Sequence, residues 1–588
     1  MRLVFDLEAN GLYYDASRIH CLVAKDLNTQ TIYSFGPDKV EEGLKLLMQA
    51  EQVIGHNVIG YDLPLASKLY TWFAIPRERV VDTLILSRLI YTDLSDRDHQ
   101  SRAQMEGKLI GSHSLKAWGL RLGEHKGDYQ GGFESFSEDM LAYNVQDVVV
   151  TERLYEKLIK HEALTPQANE LEHLVAHIVA QQERHGFLFD VKAAEELTAR
   201  LQIRRGELEA KLQDTFQPWE EVVGEFIPKV NNKARGYVKG VPILKTKTVV
   251  FNPGSRHHIA NRLKAFHNWV PKEFTPDGRP KVDEAVLEKL PFPEAKLLTE
   301  YLMVQKRLGM LAEGNNAWLK MVKSDGRIHG DVITNGAVTG RATHRNPNVA
   351  QTPAVGALYG KECRSLFSTP RDRVLCGIDV SGLELRMLAH YMAAYDGGRY
   401  GKEVVDGDVH TANQLAAGLE TRNQAKTFIY AFLYGAGPEK IGSIVGKGAK
   451  HGKLLKERFL EKTPALAALI RDVQRAANRG YLVGLDGRRL HIRSAHAALN
   501  TLLQSAGALV CKQWMVEVDA MLTQRRWSHE VHQVAWVHDE CQFECDSQIA
   551  DEFGKKAVDC ITKAGEFFDI KLQLTGEYKV GKNWAETH

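Results

Sequence analysis

No run of eighteen or more apolar residues occurs in the 588-residue chain. The N-terminus, "MRLVFDLEANG", turns acidic before a signal-like core forms, so neither a membrane-spanning helix nor a leader is expected. Cysteine is sparse: seven residues with no CxxC spacing, Cys541 and Cys545 lying in a strand-like stretch. Reduced, buried thiols are expected rather than a metal or disulfide site. Net charge is only +2, so bulk composition gives no hint of a polyanionic partner. One local absence does. Residues 226–272 contain no Asp or Glu but ten Lys or Arg, and a one-sign block favours a phosphate-binding arm. Its Gly, Asn and Pro content ("KVNNKARGYVKGVPILKTKT") predicts a segment that orders on its partner. The length exceeds one core and predicts three or four domains.

The first 160 residues concentrate carboxylates. In "RLVFDLEANGL", Asp6 and Glu8 alternate within an apolar run, so on a strand both point to one face. Like charges placed that close repel unless a cation lies between them. "GHNVIGYDLPL" adds Asp62 beside turn-forming residues, and "LAYNVQDVVVTERL" adds Tyr143 and Asp147, four apart on a predicted helix. Hard oxygen ligands suit Mg²⁺ or Mn²⁺, and this set suits a two-metal phosphodiesterase. In order and context the motifs resemble the DEDDy class of 3′–5′ exonucleases. That resemblance assigns Asp6, Glu8, Asp62 and Asp147 to metals and Tyr143 to the attacking water. It also implies a ribonuclease H-like mixed sheet with helices on its faces.

Residues 165–225 and 254–325 show helical periodicity and flank the basic block, placing it at the tip of a helical arm. Further on, "VLCGIDVSGLELRMLAHYM" reads as a strand ending at Asp379, then a helix with Glu384 and Arg386. "QVAWVHDECQFEC" reads as two strands with His538, Asp539 and Glu540 at the turn. An aspartate at a strand's end and another at a hairpin tip can meet across a sheet, where they would hold two divalent ions beside a triphosphate. A polar HDE tip by itself fits a plain turn equally well. "RNQAKTFIYAFLYGAG" reads as one helix ended by glycines, with Arg422, Lys426, Tyr430 and Tyr434 along one slowly drifting stripe. The cations suit phosphates, and the phenols offer flat faces to bases.

"DVSGLELR", "RNQAKTFIYAFLYG" and "VHDE" resemble motifs A, B and C of family A (DNA polymerase I-like) DNA polymerases. "NGAVTGRATH" and "LNTLLQSAGALVCK" point to that family's podovirus replicative branch. The resemblance implies an α/β multidomain fold: a ribonuclease H-like exonuclease over 1–165, then a right hand. Its thumb covers 166–325 with a basic tip around 226–272, its palm 326–405 and 481–588, and its fingers 406–480. Asp379 and Asp539, with the Val380 backbone, would hold two Mg²⁺, with two more in the exonuclease site and Mn²⁺ as an alternative. Arg422, Lys426 and His410 would grip the triphosphate. Tyr430 would stack on the incoming nucleotide and Tyr434 at the template, while Glu384 would exclude a ribose 2′-OH. Arg341 and Gln504 would donate to minor-groove acceptors present in every Watson–Crick pair, and His538 would touch the primer end.

The implied partners are primer–template DNA, dNTPs, a phage helicase-primase and a single-stranded DNA-binding protein. A monomer in the cytoplasm of an infected bacterium is expected, without a 5′-nuclease. A branch member that borrows host thioredoxin carries a larger thumb-tip insertion where this chain has only about 216–250. Host thioredoxin is therefore not implied here, and the basic tip either holds duplex itself or docks another processivity factor. A single-subunit RNA polymerase would need no nuclease site, and an inactive scaffold would not need Asp379, Asp539, Arg422 and Lys426. A non-enzymatic DNA binder would have no use for two carboxylate sets.

Overall fold

Strand β1 (Arg2–Ala9) is apolar on both faces, and the fold covers both. It pairs antiparallel with β2 (Ile19–Asp26), which pairs antiparallel with β3 (Ile32–Phe35). On its other edge it runs parallel to β4 (Gln52–Gly55), followed by β5 (Val80–Asp82). The mixed sheet therefore has the order β3-β2-β1-β4-β5. Leu3, Phe5 and Leu7 enter one core cluster with Leu44 and Leu47. Val4 enters another with Trp118, Val148 and Leu154. Asp6 and Glu8 continue the Val4 face, the face covered by the helix Glu138–Ile159 that carries Asp147.

The computed structural model describes residues 1–101, 105–124 and 129–588, and forms two compact units. The first unit comprises Met1–Phe187, Gly330–Ala350 and Thr369–His588. Besides the N-terminal sheet it holds a four-stranded antiparallel sheet, in spatial order Val531–Val537, Glu540–Asp546, Arg373–Val380 and Gly576–Gly581. The long helix Ala498–Arg525 is buried around most of its first five turns, as expected of a helix apolar on all sides. Lys512 lies within that buried stretch with no exposed surface. A buried ammonium requires partners, and Lys512 has them. Its Nζ lies 2.5 Å from Glu172 on the helix Pro166–His185, and the same carboxylate lies 2.7 Å from Arg488. Arg488 in turn lies 2.6 Å from Asp486, and donates to Asn335 at 3.2 Å. Two cations and two anions thus close a neutral buried cluster, although burial still pulls Lys512 down to about 8.

The second unit comprises Leu188–His329 and Gln351–Ser368. The helices Val191–Thr215 and Pro293–Leu308 are clamped by a two-pronged ion pair, Arg204 to Glu300, at 2.7 and 2.9 Å. The helical periodicity expected to reach residue 225 stops at Thr215, because Pro218 follows and disfavours helix for the residue before it. Trp219–Phe226 instead pairs antiparallel with Ile243–Val249. The basic block is therefore built on this hairpin and on the helix Arg256–His267, with its own ladder in place, in contrast to the expected order-on-binding segment. Arg262 stacks on Trp219 at 3.8 Å.

All seven cysteines are free and buried, as the composition suggests. Among the described residues no helix is long and apolar enough to cross a membrane. Glu172→Gln strands Lys512, while Arg488 keeps Asp486, and is expected to cost about 3–5 kcal/mol, read as a fall of several degrees in the calorimetric midpoint. Glu162→Gln, which breaks the exposed pair with Arg489, should leave the midpoint unchanged.

Candidate active sites

Asp6, Glu8 and Asp147 have ligand oxygens within 4.8 Å of one another, the single group of three or more such residues found among the described residues. Strand alternation supplies the first pair and the covering helix supplies the third. Carboxylate-only donors at this spacing fit a hard divalent cation of the Mg²⁺ kind. Asp62 lies outside this trio. It begins the helix Asp62–Leu69, is buried, and accepts the Leu7 amide at 3.3 Å, the amide between the two β1 carboxylates. Burial above all pushes its carboxyl well up, with Asp82 and Glu8 adding to the effect. Tyr143 lies one turn before Asp147, half-buried, its ring 5.6 Å from that of Tyr129.

The C-terminal site forms where the central strand of the second sheet ends. Asp379 sits opposite Glu540 in the antiparallel register. The strands Val531–Val537 and Glu540–Asp546 leave only His538 and Asp539 for their turn. His538 adopts φ 59° there, the left-handed geometry that tight hairpins demand. The Val380 amide donates to the Asp539 carbonyl at 3.1 Å, fixing the tip to the central strand. Desolvation, then the charges of Asp539 and Glu540, push Asp379 up to about 7. Burial raises Asp539 as well. Glu540 behaves oppositely: burial pushes it up, but hydrogen bonds from His588, Trp584 and Gln542 outweigh that and hold it low. Two carboxylates that resist ionising together are what a cation would relieve, so Asp379 and Asp539 fit a divalent ion.

Beside them is a cavity of about 390 Å³ lined by Arg341, Glu384, Tyr430, Tyr434, His538 and Asp539 among others. Glu384, in the first turn of the helix Leu383–Asp396, accepts from the Tyr434 hydroxyl and lies 3.4 Å from Arg341. The helix Arg422–Leu433 opens with a capping box, Thr421 with Gln424, and buries Ala425, Phe428, Ile429 and Phe432. This leaves Arg422 and Lys426 exposed and Tyr430 half-buried on the stripe, with Tyr434 just past the helix end. Arg422 donates to Asp408 at 2.8 Å, and the His410 amide donates to the same carboxylate at 3.1 Å. The His410 ring lies 6.3 Å from Tyr430. Gln504 is half-buried on the long helix and donates to Asn500 at 3.0 Å.

Residues 220–586 match DNA polymerase family A. The chain belongs to that family. It is 41% identical over 705 aligned positions to the DNA-directed DNA polymerase of Escherichia phage T7, and 41% identical over 707 to that of Enterobacteria phage T3. Each alignment covers 100% of both chains, which agrees with the podovirus resemblance. Both alignments are longer than the 588 residues here, so these relatives carry sequence that this family member does not. Its fold is similar to the POL domain of Pol1 from M. smegmatis, solved in complex with DNA primer-template and dNTP. The TM-score is 0.74 at 18% identity, over 100% of this chain and 96% of that one. The chain is a DNA-directed DNA polymerase of the family A type.

Several participants were not among the residues expected from the sequence. Asp408, which holds Arg422, is the N-cap of the helix Val409–Ala417, a role visible in "GDVHTAN". Trp584 and His588, which hold Glu540, come from the far end of the chain. A metal titration tests the donor sets. Asp147→Ala should weaken Mn²⁺ binding, followed by paramagnetic resonance, at one class of site by roughly tenfold or more. Because Asp379 takes up a proton as pH falls through about 7, Mn²⁺ binding at the Asp379–Asp539 pair should weaken from pH 8 to pH 6.

Proposed function

We propose that this family A member extends a DNA primer at the Asp379–Asp539 site and removes 3′-terminal nucleotides at the Asp6–Glu8–Asp147 site, with Asp62 supporting the latter. The observation that carries this reading is the presence of two separate carboxylate sets in one chain. One is on a mixed sheet, the other beside a cavity lined by Arg341, Glu384, Tyr430 and Tyr434. The five-stranded mixed sheet, with its helical covering on both faces, supports a ribonuclease H-like exonuclease over 1–165. The second sheet and the helix Arg422–Leu433 support palm and fingers with the boundaries given above, and the arm carrying the basic hairpin is the thumb.

In this reading, Asp379, Asp539 and the Val380 backbone would hold two divalent cations of the Mg²⁺ kind, which would supply charge neutralisation for phosphoryl transfer. Arg422, Lys426 and His410 bind the triphosphate and orient its leaving group. Tyr430 packs on the incoming nucleotide. Glu384, held by Tyr434 and Arg341, narrows the space beside the sugar so that a 2′-hydroxyl meets an occupied carboxylate. Arg341 and Gln504 donate to the minor-groove edge of the newest pair, testing its geometry rather than its sequence. His538, fixed at the hairpin tip, lies at the primer end, and Tyr434 lies at the template. At the other site Tyr143 orients water for attack on the terminal phosphodiester.

Primer extension with dNTPs, with rNTPs and with no nucleotide separates the activities. Asp379→Asn or Asp539→Asn should cut dNTP extension by about 10³-fold or more, the equivalent of several kcal/mol of charge stabilisation, and leave degradation intact. Asp6→Ala should do the reverse. Extension that survives either of the first two variants overturns the assignment. Glu384→Ala should raise ribonucleotide insertion by roughly tenfold or more, and dideoxynucleotides should terminate wild-type synthesis readily because position 430 is Tyr.

A further inference from the structure

Asp6 and Asp147 open into a cleft of about 700 Å³ whose remaining walls come from distant parts of the chain. The helix Thr83–Ile90 contributes Arg88. The hairpin formed by Asp331–Ile333 and Thr343–Arg345 contributes Asn335 and Arg345. The cleft therefore has carboxylates at one place and two guanidinium groups at another.

Arg88 is half-buried; among the described residues its guanidinium makes no ion pair, and the carboxylates of Asp82 and Glu183 act on it only at longer range. Arg345 is exposed and lies 3.2 Å from Asp331 on the facing strand. Burial above all lowers the proton affinity of Arg88; the charge of Asp82 and, less, of Glu183 opposes this, while the like charge of Arg345 adds to it. Two arginines lining one cleft repel each other, and an anion between them turns that repulsion into attraction. A surface pair with Asp331 accounts for Arg345 alone. It does not account for a half-buried arginine that Asp82 and Glu183 reach only beyond ion-pair distance. The positions of both are fixed. Asn335 is buried, its Nδ2 donates to the Arg88 carbonyl at 3.0 Å, and its Oδ1 accepts from Arg488 of the buried ionic cluster at 3.2 Å. The hairpin is thereby pinned to the helix bearing Arg88.

We propose that Arg88 and Arg345 form a phosphate subsite that grips the backbone of single-stranded DNA upstream of the nucleotide being removed, with Asn335 as the positioning residue between them. This rests on the reading of Asp6, Glu8 and Asp147 as a 3′–5′ nuclease. It also gives the hairpin a double part. The connection between its strands carries Arg341, which lines the C-terminal cavity, so one element touches the DNA at both sites. Guanidinium contacts to phosphate are sequence-independent, as removal of any mispaired 3′ end requires.

The test uses the full chain and a 5′-fluorescein thymidine oligonucleotide of about ten nucleotides, a length within the usual single-strand site size. Cleavage is followed in single turnover, and binding is followed by anisotropy in EDTA, where nothing is cut. Arg88→Gln and Arg345→Gln should each raise the half-saturating oligonucleotide concentration about tenfold and leave the saturating rate unchanged. Each should also flatten the slope of log affinity against log salt by about 0.7. Extension of a matched primer serves as the control for folding. If Arg88→Gln does not fold, Arg345→Gln, with its exposed side chain, decides the matter. Unchanged half-saturation and salt slope overturn the subsite, as does a fall in saturating rate with affinity intact. A wild-type protein that leaves the oligonucleotide whole, or an Asp6→Ala protein that still degrades it, overturns the nuclease reading instead, and the anisotropy arm then still judges the subsite.

Discussion

A neutral knot of four buried charges holds the first unit together. Glu172, Lys512, Arg488 and Asp486 come from a helix following the N-terminal sheet domain, from the long helix beside the C-terminal cavity, and from a short hairpin between them. None of these charges is tolerable alone in an apolar interior, so the three elements are each other's condition for being buried. Asn335 extends the knot to the loop that lines the cleft beside Asp6 and Asp147. The geometry of both carboxylate sites therefore hangs from one set of contacts that a shift of any single element would break.

The parts of the molecule legible in sequence are those in which a short-range period decides the side-chain direction. Asp6 and Glu8 share a face because a strand repeats every two residues, and the helix with Tyr143 and Asp147 covers that face. The pairing of Asp379 with a polar hairpin tip was readable from an apolar run ending in an acid and from two strands separated by His538 and Asp539. The stripe Arg422, Lys426, Tyr430 was readable from the turn of a helix.

What could not be read depends on contacts between residues far apart in the chain. Lys512 and Arg488 look like surface residues until the folded chain supplies Glu172 and Asp486. Arg88 sits in an apolar helix, "TLILSRLI", where a lone arginine predicts only a helix edge. Asp62 was grouped with the metal carboxylates on motif alone, and its hydrogen bond to the Leu7 amide depends on sheet geometry that no local pattern encodes. The hairpin at Trp219–Phe226 was hidden by charge periodicity that suits a helix as well as a strand, with Pro218 as the one local clue.

The pairing of Arg422 with Asp408 has a bearing on how a charged ligand gains entry. Both side chains are largely exposed, so their attachment is weak in water and readily surrendered. The Asp408 carboxylate holds the guanidinium at the start of the helix Arg422–Leu433. A monovalent anion offers no better bargain than the aspartate already there. On the proposed function, a polyphosphate, presenting several negative oxygens to Arg422 and Lys426 at once, would. On that reading, selection by valence would then precede any inspection of base or sugar.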